Sequence, residues 1–100
     1  MEIIYTSELL SYMKKKGKMN ISVEVASSDH SDFEITELYL RLVTDDFARY
    51  LIQKKRYRGI RTCEGLVLFP PYRLFTDDKV TFYLRKLWIF RSVRQEGIRL

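Results

Sequence analysis

The chain predicts an α+β fold: a twisted antiparallel sheet of about five or six strands, built from hairpins and a C-terminal meander and packed by two helices near 6–16 and 44–58. Three observations predict it. Two segments carry complete helix-boundary signals. Several others alternate apolar and polar residues at the period of a half-buried strand. Gly (4) and Pro (2) are scarce in 100 residues, so most of the chain must sit in regular elements joined by tight turns. That length supports one domain with one modest core, and fourteen aromatic residues supply large buried areas to it.

The first helix is read over Thr6 to Lys16 (TSELLSYMKKK). Thr6 or Ser7 caps the free N–H groups, Leu9, Leu10 and Met13 share a face, Lys14 to Lys16 crowd the negative end, and Gly17 supplies the left-handed stop. Residues 20–26 alternate as a strand, 27–32 (SSDHSD) read as a polar turn, and 33–43 read as the returning strand. Its apolar phase slips between Ile35 and Leu38, which predicts a β-bulge near Glu37.

The second helix is TDDFARYLIQKKRYRG, capped by Thr44 or Asp45 and stopped by Gly59, with Phe47, Tyr50 and Leu51 on its apolar stripe. IRTC and LVLF flank Glu64-Gly65 as a hairpin, which places Cys63 in a strand as a buried thiol. Residues 72–75 and 80–84 flank a second expected turn at Thr76 to Lys79. From 79 to 94 the pattern fits a strand or a helix, and its β-branched and aromatic density favours strand. TSELLSYM and TDDFARYL align without a gap and TDDKVTFYL matches with one insertion, but generic helix-start residues account for the echo.

Charge is unevenly placed. Residues 1–46 hold five Lys/Arg against nine Asp/Glu, and residues 47–100 hold thirteen against four. A basic second half of this kind points to a polyanion or an acidic partner. Five cations fall within 54–61 around one tyrosine: Lys54, Lys55, Arg56, Tyr57, Arg58 and Arg61 form the leading candidate surface. Arg85, Lys86, Arg91 and Arg94 form a second set. On a strand, Arg85 and Arg91 would share a face with Tyr83, suited to tracking phosphates while stacking a base.

Catalytic chemistry is not specified. One His and one Cys stand far apart, Asp29, His30 and Asp32 form a solvated turn sooner than a metal site, and no glycine-rich phosphate loop occurs. No catalytic residue, metal or cofactor is expected. A lone cysteine and the lack of a leader-like N-terminus predict a reducing, cytoplasmic setting. The apolar run Leu84 to Phe90 is broken by Arg85 and Lys86 and falls short of the roughly 20 residues of a membrane span, so no membrane partner is expected. A homodimer is compatible with the composition.

The expectation is a small non-catalytic binding module acting on nucleic acid or a nucleoprotein. In size, basicity and element order the chain loosely resembles the small RNA-cleaving toxins of toxin–antitoxin pairs, which implies metal-free ribonuclease action by Lys, Arg, Tyr, Glu or His. Their terminal catalytic pattern is absent. It also resembles the accessory proteins of phages and other mobile elements, which implies an inhibitor that occupies an acidic surface of a host protein.

Overall fold

The structure, a computed structural model, describes residues 1–30 and 33–100, side chains at 27–30 and 33–36 apart. Its order is β1 (Glu2–Tyr5), α1 (Ser7–Lys16), β2 (Asn20–His30), β3 (Phe33–Val43), α2 (Asp45–Lys54), β4 (Arg58–Arg61), β5 (Leu66–Phe69), β6 (Phe75–Leu87) and β7 (Phe90–Arg99). The α+β class with two helices holds. The single antiparallel sheet does not: there are two mixed sheets, one of order β1-β6-β7 and one of order β3-β2-β5-β4.

Both helices start as their sequences require. The Thr6 hydroxyl accepts from the Leu9 N–H and the Thr44 hydroxyl from the Phe47 N–H, and Gly17 ends α1 in the left-handed region at φ 69°. α2 stops four residues before the expected limit. Arg56, not Gly59, takes the left-handed conformation at φ 60°, and the Tyr57 N–H reaches back to the Leu51 carbonyl at 3.0 Å. Gly59 lies in β4, where a Cβ would press on Ile52 at 3.2 Å; it clears room for α2 over the sheet. Ala48 and Leu51 are the buried face of α2, with Phe47 half-buried beside them and Tyr50 exposed.

β2 and β3 pair antiparallel from Asn20↔Val43 to His30↔Phe33 with no register shift, so the bulge expected near Glu37 is absent and β2 runs on through residues expected to turn. Ser31 and Asp32, and with them the Asp29–His30–Asp32 trio, lie outside the described residues. The irregularity sits in β6 instead. Thr76 to Lys79, expected as a turn, are absorbed into one long strand whose register on β7 shifts between Thr76 and Thr81. Gly97 permits this: its φ is 111°, and a Cβ there would meet the Lys79 carbonyl at 2.5 Å. The strand reading of 79–94 holds, with the reversal at Trp88-Ile89. TDDKVTFYL is therefore strand where its two sequence echoes are helix starts.

Two parallel pairings, β1 with β6 and β2 with β5, join elements distant in sequence. The main core lies between the sheets: Ile21, Val23, Val67 and Phe69 from one, Val80, Phe82 and Ile98 from the other, with Leu9 and Met13 of α1. A smaller core of Val43, Ala48, Leu51 and Leu68 seats α2 on the opposite face of the four-stranded sheet. Asn20 stitches four elements. Its amide donates to Asp45 Oδ1 at 2.8 Å and the Val43 carbonyl at 3.4 Å, and its oxygen accepts from the Leu66 N–H at 3.0 Å. The β4–β5 connection is a four-residue loop closed by Thr62, which leaves Cys63 exposed in the turn and not buried in a strand.

Candidate functional site

The two basic sets sit at opposite edges of the molecule. β4 is one edge of the four-stranded sheet, whereas β7 packs beside β3 at the other.

At the β4 edge the sequence cluster divides. Lys54 closes α2, and Lys55 and Arg56 are exposed in the connection. Arg58 pairs with Phe69 and Arg61 with Leu66. Phe69 belongs to the main core and Leu66 to the α2 core, so the two arginines leave β4 on opposite faces. Arg58 lies over the Phe69 ring at 6.0 Å and flanks, with Arg56 and Tyr72, a cleft of about 310 Å³. Arg61 lines a different cleft of about 520 Å³ with Arg49, Gln53 and Glu64.

Tyr57, read as an aromatic within the cluster, is an internal tie. Its hydroxyl donates to Glu24 Oε2. The other Glu24 oxygen accepts from Ser22 Oγ at 2.6 Å and Arg41 Nη2 at 3.1 Å. Glu24 is only 7% exposed, so its charge depends on these donors. Burial first, then the hydrogen bond and the negative charge of Glu24, hold the Tyr57 phenol well above the usual tyrosine range. Tyr57 is thus a fixed neutral donor, and the network fastens the segment that carries Arg56 and Arg58 to β2.

At the hairpin edge the cations converge. Tyr83↔Arg94, Arg85↔Ser92 and Leu87↔Phe90 are opposed pairs on the outer face of β6–β7, and Leu84↔Val93 and Lys86↔Arg91 are opposed on the other. Arg94, not Arg91, therefore shares the face of Tyr83 and Arg85, because the two-residue turn reverses the parity between the strands. Arg85, Arg94, Tyr83 and Tyr39 line a cleft of about 360 Å³ between the edges of β3 and β7. The Arg94 Nε–H donates to Ser92 Oγ at 3.3 Å, which orients the guanidinium along the strand.

On the other face, Lys86 and Arg91 join the end of α1. They share a cleft of about 220 Å³ with Tyr12, Lys15 and Lys16, and Arg91 shares another of about 400 Å³ with Lys16, Lys18 and Arg41. Lys86 pairs with Glu8 at 3.0 Å, both side chains half exposed or more. Sequence reasoning assigned Lys15 and Lys16 only to the helix dipole and left Arg41 and Tyr39 out. The topology, which lays the end of α1 against the hairpin, adds them to the surface.

Beyond these cations the hairpin ends in Leu87, Trp88, Ile89 and Phe90, which are 58%, 93%, 83% and 71% exposed. Trp88 takes φ 60° at the first central position of the turn, a place that favours glycine. Among the described residues no group of three His, Cys, Asp or Glu is placed to hold a metal ion, and no helix is long and apolar enough to cross a membrane.

No protein-family model and no curated protein matches the chain. Among solved structures, Escherichia coli SufA, involved in biosynthesis of iron–sulfur clusters, is similar over 96% of this chain and 80% of that one, at 10% identity and a TM-score of 0.44. A likeness at this level carries no functional argument.

Proposed function

We propose that the protein is a non-catalytic binding module for nucleic acid, free or within a nucleoprotein, and that its main contact surface is the cation-bearing part of the β6–β7 hairpin behind the turn, Tyr83 to Lys86 and Arg91 to Arg94, with the end of α1. The observation that supports this is the convergence of Arg85 and Arg94 with Tyr83 and Tyr39 in one cleft. Guanidinium groups neutralise phosphates while phenol rings offer a base-stacking face, and the lysines of α1 extend the positive path on the reverse side of the ribbon. The cluster around Lys55 and Arg58 is a secondary surface, because its cations diverge over two faces.

Two other readings use the same surfaces. An inhibitor of phage or mobile-element type would place the hairpin against an acidic patch of a host protein. A metal-free ribonuclease would draw on Glu8, Tyr12, Lys86 and Arg91, which share one cleft, but Glu8 is paired there with Lys86, and Glu24, Tyr57 and Arg41 are committed to one another.

Equilibrium binding of single-stranded oligonucleotides across a salt series tests the proposal. Log affinity should fall linearly with log salt, by about 0.7 per phosphate contact. Arg85→Ala with Arg94→Ala should make that slope shallower by about one unit or more, and Lys55→Ala with Arg58→Ala should change it less. Absence of binding at low salt, or an unchanged slope in the first pair, sinks the reading.

A further inference from the structure

We propose that the hairpin tip, Leu87-Trp88-Ile89-Phe90, inserts into the interface of an anionic phospholipid bilayer, with the cations behind it seated on the headgroup phosphates. This inference uses cations also assigned to nucleic acid, but it does not depend on that reading.

The geometry carries it in three steps. First, four consecutive large apolar side chains stand exposed at the end of a two-stranded ribbon, where no other element of the described chain covers them. A convex apolar tip cannot be satisfied by a flat polar surface. Exposed apolar patches of this kind mark a membrane or a protein contact, and a convex one is covered most completely by an apolar medium that yields around it.

Second, cations stand on both faces of the ribbon just behind the tip. Arg91 and Lys86, the latter paired with Glu8, lie on one face, and Arg85, with Arg94 further back, lies on the other. At about 3.3 Å of rise per residue, Lys86 and Arg91 sit roughly 3–7 Å behind the turn residues. That offset matches an apolar tip buried about 5–10 Å at the headgroup–acyl boundary with cations at phosphate level. A sheet of headgroups surrounds the ribbon with negative charge, whereas a single nucleic-acid strand follows one face.

Third, the composition fits a bilayer interface better than a stack of bases. Trp88 and Phe90 can stack on bases, but Leu87 and Ile89 gain nothing from stacking. In lipid all four gain, and tryptophan is the residue most at home at the interface. The run that is too short and too charged to span a membrane has the pattern of a tip that dips into one.

Trp88 is the chain's one tryptophan, so its fluorescence reports the tip directly. The protein is titrated with vesicles of phosphatidylcholine, vesicles of phosphatidylcholine mixed with phosphatidylserine, and a single-stranded oligonucleotide. The expected result is a blue shift and protection from aqueous quencher on the phosphatidylserine vesicles, weakened by salt, with little change on phosphatidylcholine. No shift on phosphatidylserine vesicles overturns the proposal, as does an equal shift on both vesicle types. Oligonucleotide quenching of Trp88 with no vesicle response assigns the tip to nucleic acid and overturns it as well.

Ile89→Ser with Phe90→Ser keeps the reporter and changes exposed positions only. It should lower vesicle partitioning by at least about tenfold and leave the oligonucleotide salt slope unchanged. Equal losses of both activities place the tip in the nucleic-acid site and overturn the proposal. Vesicle binding without oligonucleotide binding sinks the nucleic-acid reading and leaves this one standing.

Discussion

The two basic regions have similar composition and opposite construction. At the end of α2 the cations are dense in sequence but spread in space: Arg58 and Arg61 leave β4 on opposite faces, and the tyrosine between the cations is tied inward to Glu24. On β6–β7 the cations are sparse in sequence, yet pairing across the hairpin and the approach of α1 collect them around three clefts and one apolar tip. Density along the chain is thus a poor guide to density on a surface. A strand disperses neighbours by its alternation, and a hairpin brings together residues separated by its length.

The largest effect should come from the tie beneath the first region. Glu24→Ala leaves the buried Ser22 hydroxyl and the half-buried Tyr57 hydroxyl without their acceptor. Breaking such a buried pair typically costs about 3–5 kcal/mol. Arg41 is half exposed and regains water, so the loss should lie near about 3 kcal/mol, read from urea midpoints. At low temperature, where the variant is folded, it should still bind oligonucleotide, because Glu24 lies outside the cleft of Arg85 and Arg94. A small change in midpoint would show that Glu24 is not the anchor of Tyr57, and the contrast between a fastened and a free basic region would fail.

A smaller effect sharpens the same contrast through pH. The folded state holds the Tyr57 phenol above its unfolded value of about 10. A group raised in this way contributes stability that is complete below the unfolded value and is lost as pH rises toward the folded one. The parent should therefore lose stability above about pH 10. Tyr57→Phe should cost about 1.5–3 kcal/mol at neutral pH, the worth of a hydrogen bond to a charged acceptor, and should flatten the alkaline limb. Tyr5, raised chiefly by its own burial, remains to give a residual slope. Parallel alkaline limbs in the two proteins would remove Tyr57 from the account.

What the sequence made legible follows the range of each signal. Caps are local, so α1 and the start of α2 could be read from Thr6, Gly17 and Thr44. Alternation with a short connection is nearly local, so the β2–β3 and β4–β5 hairpins could be read too. The parallel pairings of β1 with β6 and β2 with β5 leave no mark near either strand, and without them one sheet cannot be told from two. Thr76 to Lys79 have the composition of a turn, and only Gly97, some twenty residues away, reveals that they are a bulge. The candidate surface was legible as residue types and illegible as a surface. The three-residue spacing of Arg58 and Arg61 already implied opposite faces on a strand, but that inference needs α2 to end before Arg58, which Arg56 accomplishes in a conformation arginine seldom adopts. The partnership of Lys15 and Lys16 with Arg91 depends on how α1 packs against the hairpin, and no spacing encodes that.

The smallest expected effect concerns the turn at the end of the second region, and its sign is what matters. Trp88 holds φ 60°, a region that costs an L-residue about 1–2 kcal/mol and glycine very little. Its side chain is almost wholly exposed and gives up little packing when removed. Trp88→Gly should therefore relieve the strain, offset by the roughly 0.5–1 kcal/mol that the freer unfolded glycine chain costs. The net expectation is a gain of about 0.5 kcal/mol, seen as a higher urea midpoint. Sedimentation with phosphatidylserine vesicles, which needs no tryptophan signal, should show binding falling in the same variant. A more stable protein that binds lipid less well would mean that strain at the tip is retained for the contact it makes. If the variant is less stable than the parent, Trp88 packs against the hairpin in solution, and the tip is a structural cover whose exposure has no functional meaning.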